Sequence, residues 1–379
     1  MPSQTLLLFL IGSILPSFLI SLVATWFLCR LAPRWGLIDQ PNAQRKVHTT
    51  ATPLGGGLGI WLGVVGTFAI GQGALLLALW MPGLKAQLPG IAQTHLQGLA
   101  VQSWNLWILL GAGTVLMVLG LVDDRKGISW QIRMLVEFGV AGACVYLVKN
   151  LQLTAFINAP LLTGLLSVLW IVGLINSFNM LDNMDGLSGG VAAISASLLA
   201  AVLLLAPDPE TKRPQLFVAG FLLVLVGGIV GFLWHNRPPA KIFMGDSGAY
   251  FIGFSLAVAT LLATYAGYKS PQRHAILAPL CVMAVPLYDM LTVLLIRIRS
   301  GKSPFQPDKN HFSHRLVDLG LTKSQAVLTV YLTSATCGLG ALLLHRVDTI
   351  GAVIIMLLIG CILCLIGILE STARRTIKK

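Results

Sequence analysis

The chain has 379 residues, of which 56% are hydrophobic and only 11% charged, and its formal net charge is +12. With a mean hydropathy of +0.82, too few polar residues remain to cover a core with a water-facing surface, so a soluble globular protein is excluded. The long Leu-rich runs also exclude a transmembrane β-barrel, whose signal is alternation over segments of about ten residues.

About eleven apolar segments approach or exceed the roughly 20 residues that a helix needs to cross about 30 Å of hydrocarbon. In chain order they are residues 5–29, 54–80, 105–121, 130–148, 161–175, 191–205, 215–234, 249–268, 275–296, 324–344 and 349–369. The first has no basic start and no small-residue cleavage site before Arg30, so the expectation is a retained span rather than a removable signal. No internal repeat, long linker or separate soluble part interrupts the pattern, so the expectation is one all-α, polytopic membrane domain over residues 1–379. An external N-terminus and a cytoplasmic C-terminus place about 19 Lys and Arg on the cytoplasmic side and about 7 outside, the bias that orients membrane proteins. Trp26, Trp80, Trp104, Trp130 and Trp234 then fall near span ends, where an aromatic belt sits. The positive charge therefore reads as loops facing an anionic leaflet, with no nucleic-acid partner. The six cysteines lie in or beside apolar runs and read as packing residues. Cys361 and Cys364 have metal-like spacing but no second pair or nearby His.

The same topology gathers Asp39, Asp123, Asp124, Asp182, Asp185, Asp246, Asp308 and Asp318 on the cytoplasmic side. Carboxylates contribute little to orientation, so their concentration on the basic face needs another cause. A site that holds a divalent cation and a phosphorylated substrate is one.

The first cytoplasmic loop, DQPNAQRKVHTTATPLGGG, carries Arg45, Lys46 and His48 ahead of glycines that let backbone approach a ligand or a neighbouring helix. The run LVDDRKG closes the third span with Asp123 and Asp124. If the helix continues, their side chains project roughly 100° apart, so one could approach a metal while the other meets a nucleophile. Arg125 and Lys126 are close enough to keep both ionised. An acidic helix end beside a basic loop is the plainer alternative, although acids there oppose the helix dipole. NSFNMLDNMDG spaces Asn176, Asn179, Asp182 and Asp185 at intervals of three, one polar stripe on a helix suited to a hard cation. Capping and turn roles would explain one or two of the four.

WHNRPPAKIFMGDSG sets Asp246 in a Gly-flanked turn before a helix, where backbone N–H groups could meet phosphate and the aspartate a metal; an ordinary N-cap looks the same. Asp289, about two turns inside the ninth span, is costly unless functional or paired, and a loop Arg or Lys is the expected partner. The last large loop, RIRSGKSPFQPDKNHFSHRL, brings Arg297, Arg299, Lys302, Lys309 and Arg315 with His311 and His314. Cations there could neutralise a diphosphate and the imidazoles could bond phosphate or sugar. An electrostatic anchor to anionic lipid is the alternative.

Taken together, five ordered blocks from about Asp39 to Arg315 resemble the polyprenyl-phosphate N-acetylhexosamine-1-phosphate transferases of the glycosyltransferase family 4 type. The likeness is strongest to those joining N-acetylglucosamine 1-phosphate to undecaprenyl phosphate. The resemblance implies a bacterial cytoplasmic-membrane enzyme with ten or eleven helices and its active site on the cytoplasmic face. It implies that Asp123 and Asp124 form an essential acidic pair, one of them contacting the lipid phosphate, with Asp182 beside them. Asp246 would be the principal Mg²⁺ ligand and Asn179 a second, Mn²⁺ being an alternative ion. Asp185, Asn236 and Phe243 fall at the uracil positions and Lys46 near the nucleotide phosphates. Arg299 and Arg315 complete the substrate-binding cations, and His311 and His314 match the ends of a motif usually written HxHH.

Two departures stand out: Ser313 replaces the third position of that motif, and Asn183 stands where many members have Gly. The expected partners are a UDP-N-acetylhexosamine, undecaprenyl phosphate and the bilayer, and a homodimer is compatible with the sequence. The expected reaction is in-line attack of lipid phosphate on the β-phosphorus of the UDP-sugar, with release of UMP. The competing classes are a cation-coupled transporter, whose ionisable groups should lie near the bilayer midplane, and a membrane scaffold, which leaves the clustered acids unexplained.

Overall fold

In the computed structural model the described residues are 3–39, 51–81, 83, 90–148, 151–153, 159–206, 208, 211–266, 272–306 and 308–377. They are almost wholly helical: α1 (Ser3–Leu31), α2 (Gly56–Trp80), α3 (Gly90–Lys126), α4 (Trp130–Leu147), α5 (Pro160–Leu181), α6 (Leu187–Leu205), α7 (Leu216–Asn236), α8 (Gly245–Leu262), α9 (Ala278–Val282), α10 (Ala284–Arg299), α11 (Phe312–Asp318), α12 (Lys323–Leu344) and α13 (Thr349–Ile377). Nine helices among the described residues are long and apolar enough to cross a membrane, or ten if the bent pair around Met283 counts as one span. The protein is an all-α polytopic membrane protein, as its hydropathy required.

Each expected span has a helix at its place, with three differences of substance. The third helix runs from Gly90 through both acids to Lys126, well past the apolar run. The ninth segment is broken: a 3₁₀ turn and α9 (273–282) meet α10 at 65°. Pro286 lacks the N–H that would bond the Val282 carbonyl four residues back, and Ser195 Oγ donates to that carbonyl instead, at 3.4 Å. α4 fills the place of the fourth span but carries Arg133 and Glu137 in its first half and is not among the helices apolar enough to cross.

α8 is the axis of the bundle, packing against α2, α3, α5, α6 and α7. Buried side chains make up 83% of its most apolar stretch, against 11% for α1 and for α13. The outer helices present Leu and Ile outward, among them Leu8, Leu161, Ile350 and Leu357, as a surface solvated by lipid rather than water can do. Close approach to α8 needs small residues. A Cβ at Gly57 of α2 would stand 2.1 Å from Gly248 N, and one at Gly120 of α3 2.4 Å from Ser247 N, so α2 and α3 reach the start of α8 at backbone contact.

Outside the helices a two-stranded ladder pairs Ile38 with Pro53 and Asp39 with Thr52. Its second strand accepts from Phe243 N at Pro53 O (2.8 Å). The entry to α2 then donates from Gly56 N to Phe243 O (2.9 Å) and from Gly57 N to Met244 O (3.0 Å). The glycine run after the first loop therefore fixes the segment that leads into Asp246.

Candidate active site

A cavity of about 540 Å³ opens where α3 and α5 end and α8 begins. Its wall holds Asp124, Asp182, Asp185, Asn236, Phe243, Asp246 and His314 from among the residues singled out in the sequence. Asp39, Asp308, Lys309 and Lys323 also line it, so six aspartates face two lysines.

The adjacent acids of α3 diverge as a continuing helix requires. Asp124 turns to the cavity and accepts from the backbone N–H groups of Asp246 (2.9 Å) and Ser247 (3.3 Å). Those N–H groups at the start of α8 were expected to meet phosphate; a carboxylate of α3 satisfies them instead, because an acid at a helix N-terminus is favoured by both hydrogen bonding and the dipole. Gly245 makes this approach feasible: its φ is +72°, and a Cβ there would stand 2.4 Å from Asp124 Oδ2.

Asp123 turns away into the protein. It accepts from Ile128 N (2.5 Å) and from Arg133 Nη1 of α4 (2.7 Å). Arg125 and Lys126, the expected neutralising cations, are exposed; the helix turn carries them outward, and Arg133, ten positions after Asp123, takes that role. The same guanidinium lies 3.7 Å from Asp246 Oδ2.

The polar stripe is helical only in its first half. Asn176 donates to Glu137 Oε2 (2.5 Å) and Asn179 to Asp246 Oδ1 (2.6 Å). α5 ends at Leu181, Asp182 is its C-cap, and Asp185 accepts from Ala240 N at 3.0 Å in the turn beyond. The capping role thus covers Asp182, while the turn still returns Asp182 and Asp185 to the cavity. Burial, with the charges of Asp124 and Asp185 added, pushes the Asp182 carboxyl up to about 8.

Asn236 is spent on structure, accepting from Gly186 N (2.9 Å) and donating to Ile242 O (2.8 Å). It thereby ties the 182–186 turn to the segment bearing Phe243.

His314 faces the cavity; burial, with His311 and Lys309 nearby, holds its imidazole below the ordinary range and so largely neutral at pH 7. Burial opposes the Asp308 charge, but hydrogen bonds from Arg297 and Asn310 outweigh it and keep that carboxyl below its usual value. His311 is not in the wall: its Nδ1 bonds Asp289 Oδ2 at 2.9 Å. This corrects the expected Arg or Lys partner for Asp289, since α11 rather than a basic loop residue packs on α10 there. Arg299 is exposed at the end of α10 and outside the wall. Arg315 is buried and ion-paired with Glu370 of α13 at 2.9 Å, so its charge is used within the fold. Lys46 lies outside the described residues.

Arg133 and Glu137 were not among the expected site residues, yet ionisable side chains inside an apolar segment are themselves a signal. The two departures from the family pattern meet in space: Ser313 Oγ donates to Asn183 Oδ1 at 2.5 Å and joins the α11 helix to the 182–186 turn.

Among the described residues no three His, Cys, Asp or Glu side chains close into a metal cage. A cage is not what Mg²⁺ requires: it keeps its waters and is held through one or two carboxylates together with substrate phosphates. Hard oxygen donors, six aspartates against two lysines, and the raised Asp182 fit that manner of binding.

A sequence profile described as glycosyl transferase family 4 matches residues 106–264, from α3 through the end of α8. The chain is 31% identical over 337 residues to a probable undecaprenyl-phosphate N-acetylglucosaminyl 1-phosphate transferase of Bacillus subtilis (strain 168), covering 86% of this chain and 83% of the relative. It is 34% identical over 341 residues to a decaprenyl-phosphate N-acetylglucosaminephosphotransferase of Mycobacterium tuberculosis (strain ATCC 25618 / H37Rv), covering 85% and 79%. To an undecaprenyl-phosphate alpha-N-acetylglucosaminyl 1-phosphate transferase of Escherichia coli (strain K12) it is 28% identical over 330 residues, covering 84% and 79%. Similarity of this extent over most of both chains, with the matched profile enclosing the acids of α3, α5 and α8, means that the protein belongs to glycosyl transferase family 4.

Proposed function

We propose that the protein transfers N-acetylglucosamine 1-phosphate from its UDP-linked form to undecaprenyl phosphate, releasing UMP and leaving a polyprenyl-diphosphate-linked sugar that begins a cell-envelope polysaccharide. The observation that carries the reading is the cavity wall, where aspartates from helix ends meet Phe243 and a small number of cations. The activities named for the relatives supply the substrate class. An oxygen of the lipid phosphate attacks the β-phosphorus, the bond from that phosphorus to the bridging oxygen breaks, and UMP departs with the oxygen. A phosphate monoester with a second pKa near 6 is mostly dianionic at neutral pH, so little deprotonation is needed. Positioning and charge balance then matter most.

Phe243 offers an aromatic face to uracil, with Asp185 beside it and Asn236 holding the two loops together. Asp246 and Asn179 would hold Mg²⁺, with Asp182 and Asp124 adjoining; Mn²⁺ is the alternative ion. Bound there, the ion would neutralise the oxygens of the diphosphate. Lys309 and Lys323 stand at the wall as further partners for phosphate. The position of the acids at helix ends, rather than at mid-helix, supports an interfacial enzyme over a cation-coupled transporter. The charge bias of the loops supports a cytoplasmic-membrane location with the N-terminus outside and the site on the cytoplasmic face.

The test is UMP release by the purified protein from a panel of UDP-sugars, with and without undecaprenyl phosphate and Mg²⁺. Release that requires both and prefers UDP-N-acetylglucosamine is the expected result. Release independent of the lipid would overturn the proposal.

A further inference from the structure

Asp289 sits in α10 with no solvent exposure, a position where a carboxyl is costly unless it is well partnered. Both of its oxygens are engaged by one turn of the histidine segment. Oδ2 bonds His311 Nδ1 at 2.9 Å, and Oδ1 accepts from the Phe312 backbone N–H at 2.5 Å. A carboxylate oxygen accepts, so this pairing selects the His311 form with its hydrogen on Nδ1 and leaves Nε2 as the other ring nitrogen. Phe312 opens α11, and His314 is the third residue of that helix. The carboxylate that orients one ring therefore also registers the other, whose side chain faces the cavity. The ring centroids of His311 and His314 are 6.3 Å apart.

The device repeats one already seen at the acids, where Asp124 of α3 binds two N–H groups at the start of α8. Each half of the cavity wall is registered by a carboxylate from a neighbouring membrane helix. We propose that Asp289 is a positioning residue for the transfer reaction, holding His311 in one tautomer and His314 in one orientation. The proposal rests on the transfer reading above.

α11 has other anchors, the Arg315–Glu370 ion pair and the Ser313–Asn183 hydrogen bond, so loss of one carboxylate leaves it folded. Asp289→Asn keeps the size and one acceptor for Phe312 N–H, but its NH₂ then meets Nδ1 and forces the opposite tautomer. We expect kcat for UMP release to fall at least about tenfold, with KM for the UDP-sugar within about twofold and melting little changed. The pH–rate profile should move as well. The groups facing the pair are His314, Lys309 and Asp318 around the rings and Tyr288, Arg315 and Glu370 around Asp289. The Asp289 charge also acts on His314, Tyr288 and Glu370, so the part of the displacement that reports His311 is the part absent when Asp289→Asn is made in the His311→Gln background.

His311→Gln and the double variant Asp289→Asn/His311→Gln should have the same kcat, because Asn keeps the acceptor for Phe312 N–H and the rest of the effect passes through the His311 ring. Multiplied losses in the double variant would overturn the proposal, as would a KM effect without a kcat effect. If Asp289→Asn does not fold, Asp289→Glu decides. It keeps an acceptor-only group and should retain the parent pH–rate profile, whereas a profile displaced like that of His311→Gln would refute the assignment. A parent protein that releases no UMP refutes the transfer reading and this inference with it; an active parent with multiplied losses refutes this inference alone.

Discussion

Replacing Arg133 by methionine isolates the electrostatics of the acid cluster. Its guanidinium lies 2.7 Å from Asp123 Oδ2 and 3.7 Å from Asp246 Oδ2. At an effective dielectric near 20 these pairs carry about 6 and about 4 kcal/mol of gross attraction, most of it offset by the desolvation of the groups involved. The net consequence of deletion comes from what is left behind. The Asp123 side chain is only 6% exposed, and without Arg133 its closest remaining hydrogen bond is from Ile128 N. Stranding a buried charge in this way costs about 3–5 kcal/mol. Methionine fills much of the vacated volume, so cavity formation adds little.

The expected result is a marked loss of stability in Arg133→Met and recovery of more than half of it in Asp123→Asn/Arg133→Met, where the stranded charge is gone. Tryptophan-monitored melting of detergent-purified protein reads the stability, and UMP release reads activity, which should stay low in both variants. A single variant as stable as the parent, or a double variant no more stable than the single one, would refute the pairing argument.

Asp246→Asn should weaken Mg²⁺ binding while leaving lipid affinity near normal, because one charged oxygen ligand is lost; normal activity at low Mg²⁺ would remove Asp246 as a ligand. Phe243→Ala should lower UMP affinity about ten- to a hundredfold, corresponding to loss of roughly 1–3 kcal/mol of stacking. Titration of UMP alongside melting separates this from a packing role, for which stability would fall and affinity would not. With its carboxyl at about 8 instead of 3.8, Asp182 holds a proton in the folded protein that it loses when unfolded. Without divalent ions, its contribution makes stability fall as pH rises from about 4 to about 8. An Mg²⁺ ion held beside Asp182 would compete with that proton, so apparent Mg²⁺ affinity should rise with pH up to about 8. An affinity independent of pH, measured by the Mg²⁺-induced shift in melting, would contradict the placement of the ion beside Asp182.

Hydropathy and charge made the membrane helices and the clustering of acids legible, because a bilayer imposes length and polarity on each span separately. What escaped depends on contacts between distant segments. Nothing local to LVDDRKG says that Asp124 will satisfy the start of α8, or that Arg133 rather than Arg125 will neutralise Asp123. The break around Met283 was foreshadowed by Pro286, yet apolar composition alone joined the two halves into one span. Arg299 and Arg315 looked alike as loop cations, and only packing distinguishes the exposed end of α10 from a buried partner of Glu370. The Asn183–Ser313 bond joins two positions that each looked like an isolated departure, since the chain does not reveal their proximity.

Transfer of the sugar together with its phosphate can be followed with UDP-N-acetylglucosamine labelled with ³²P at the β-phosphorus. After incubation with undecaprenyl phosphate, Mg²⁺ and the purified protein, the label should partition into the lipid phase while the released nucleotide is unlabelled UMP. Label recovered in water-soluble UDP would mean transfer of sugar alone and would refute transfer of the sugar 1-phosphate.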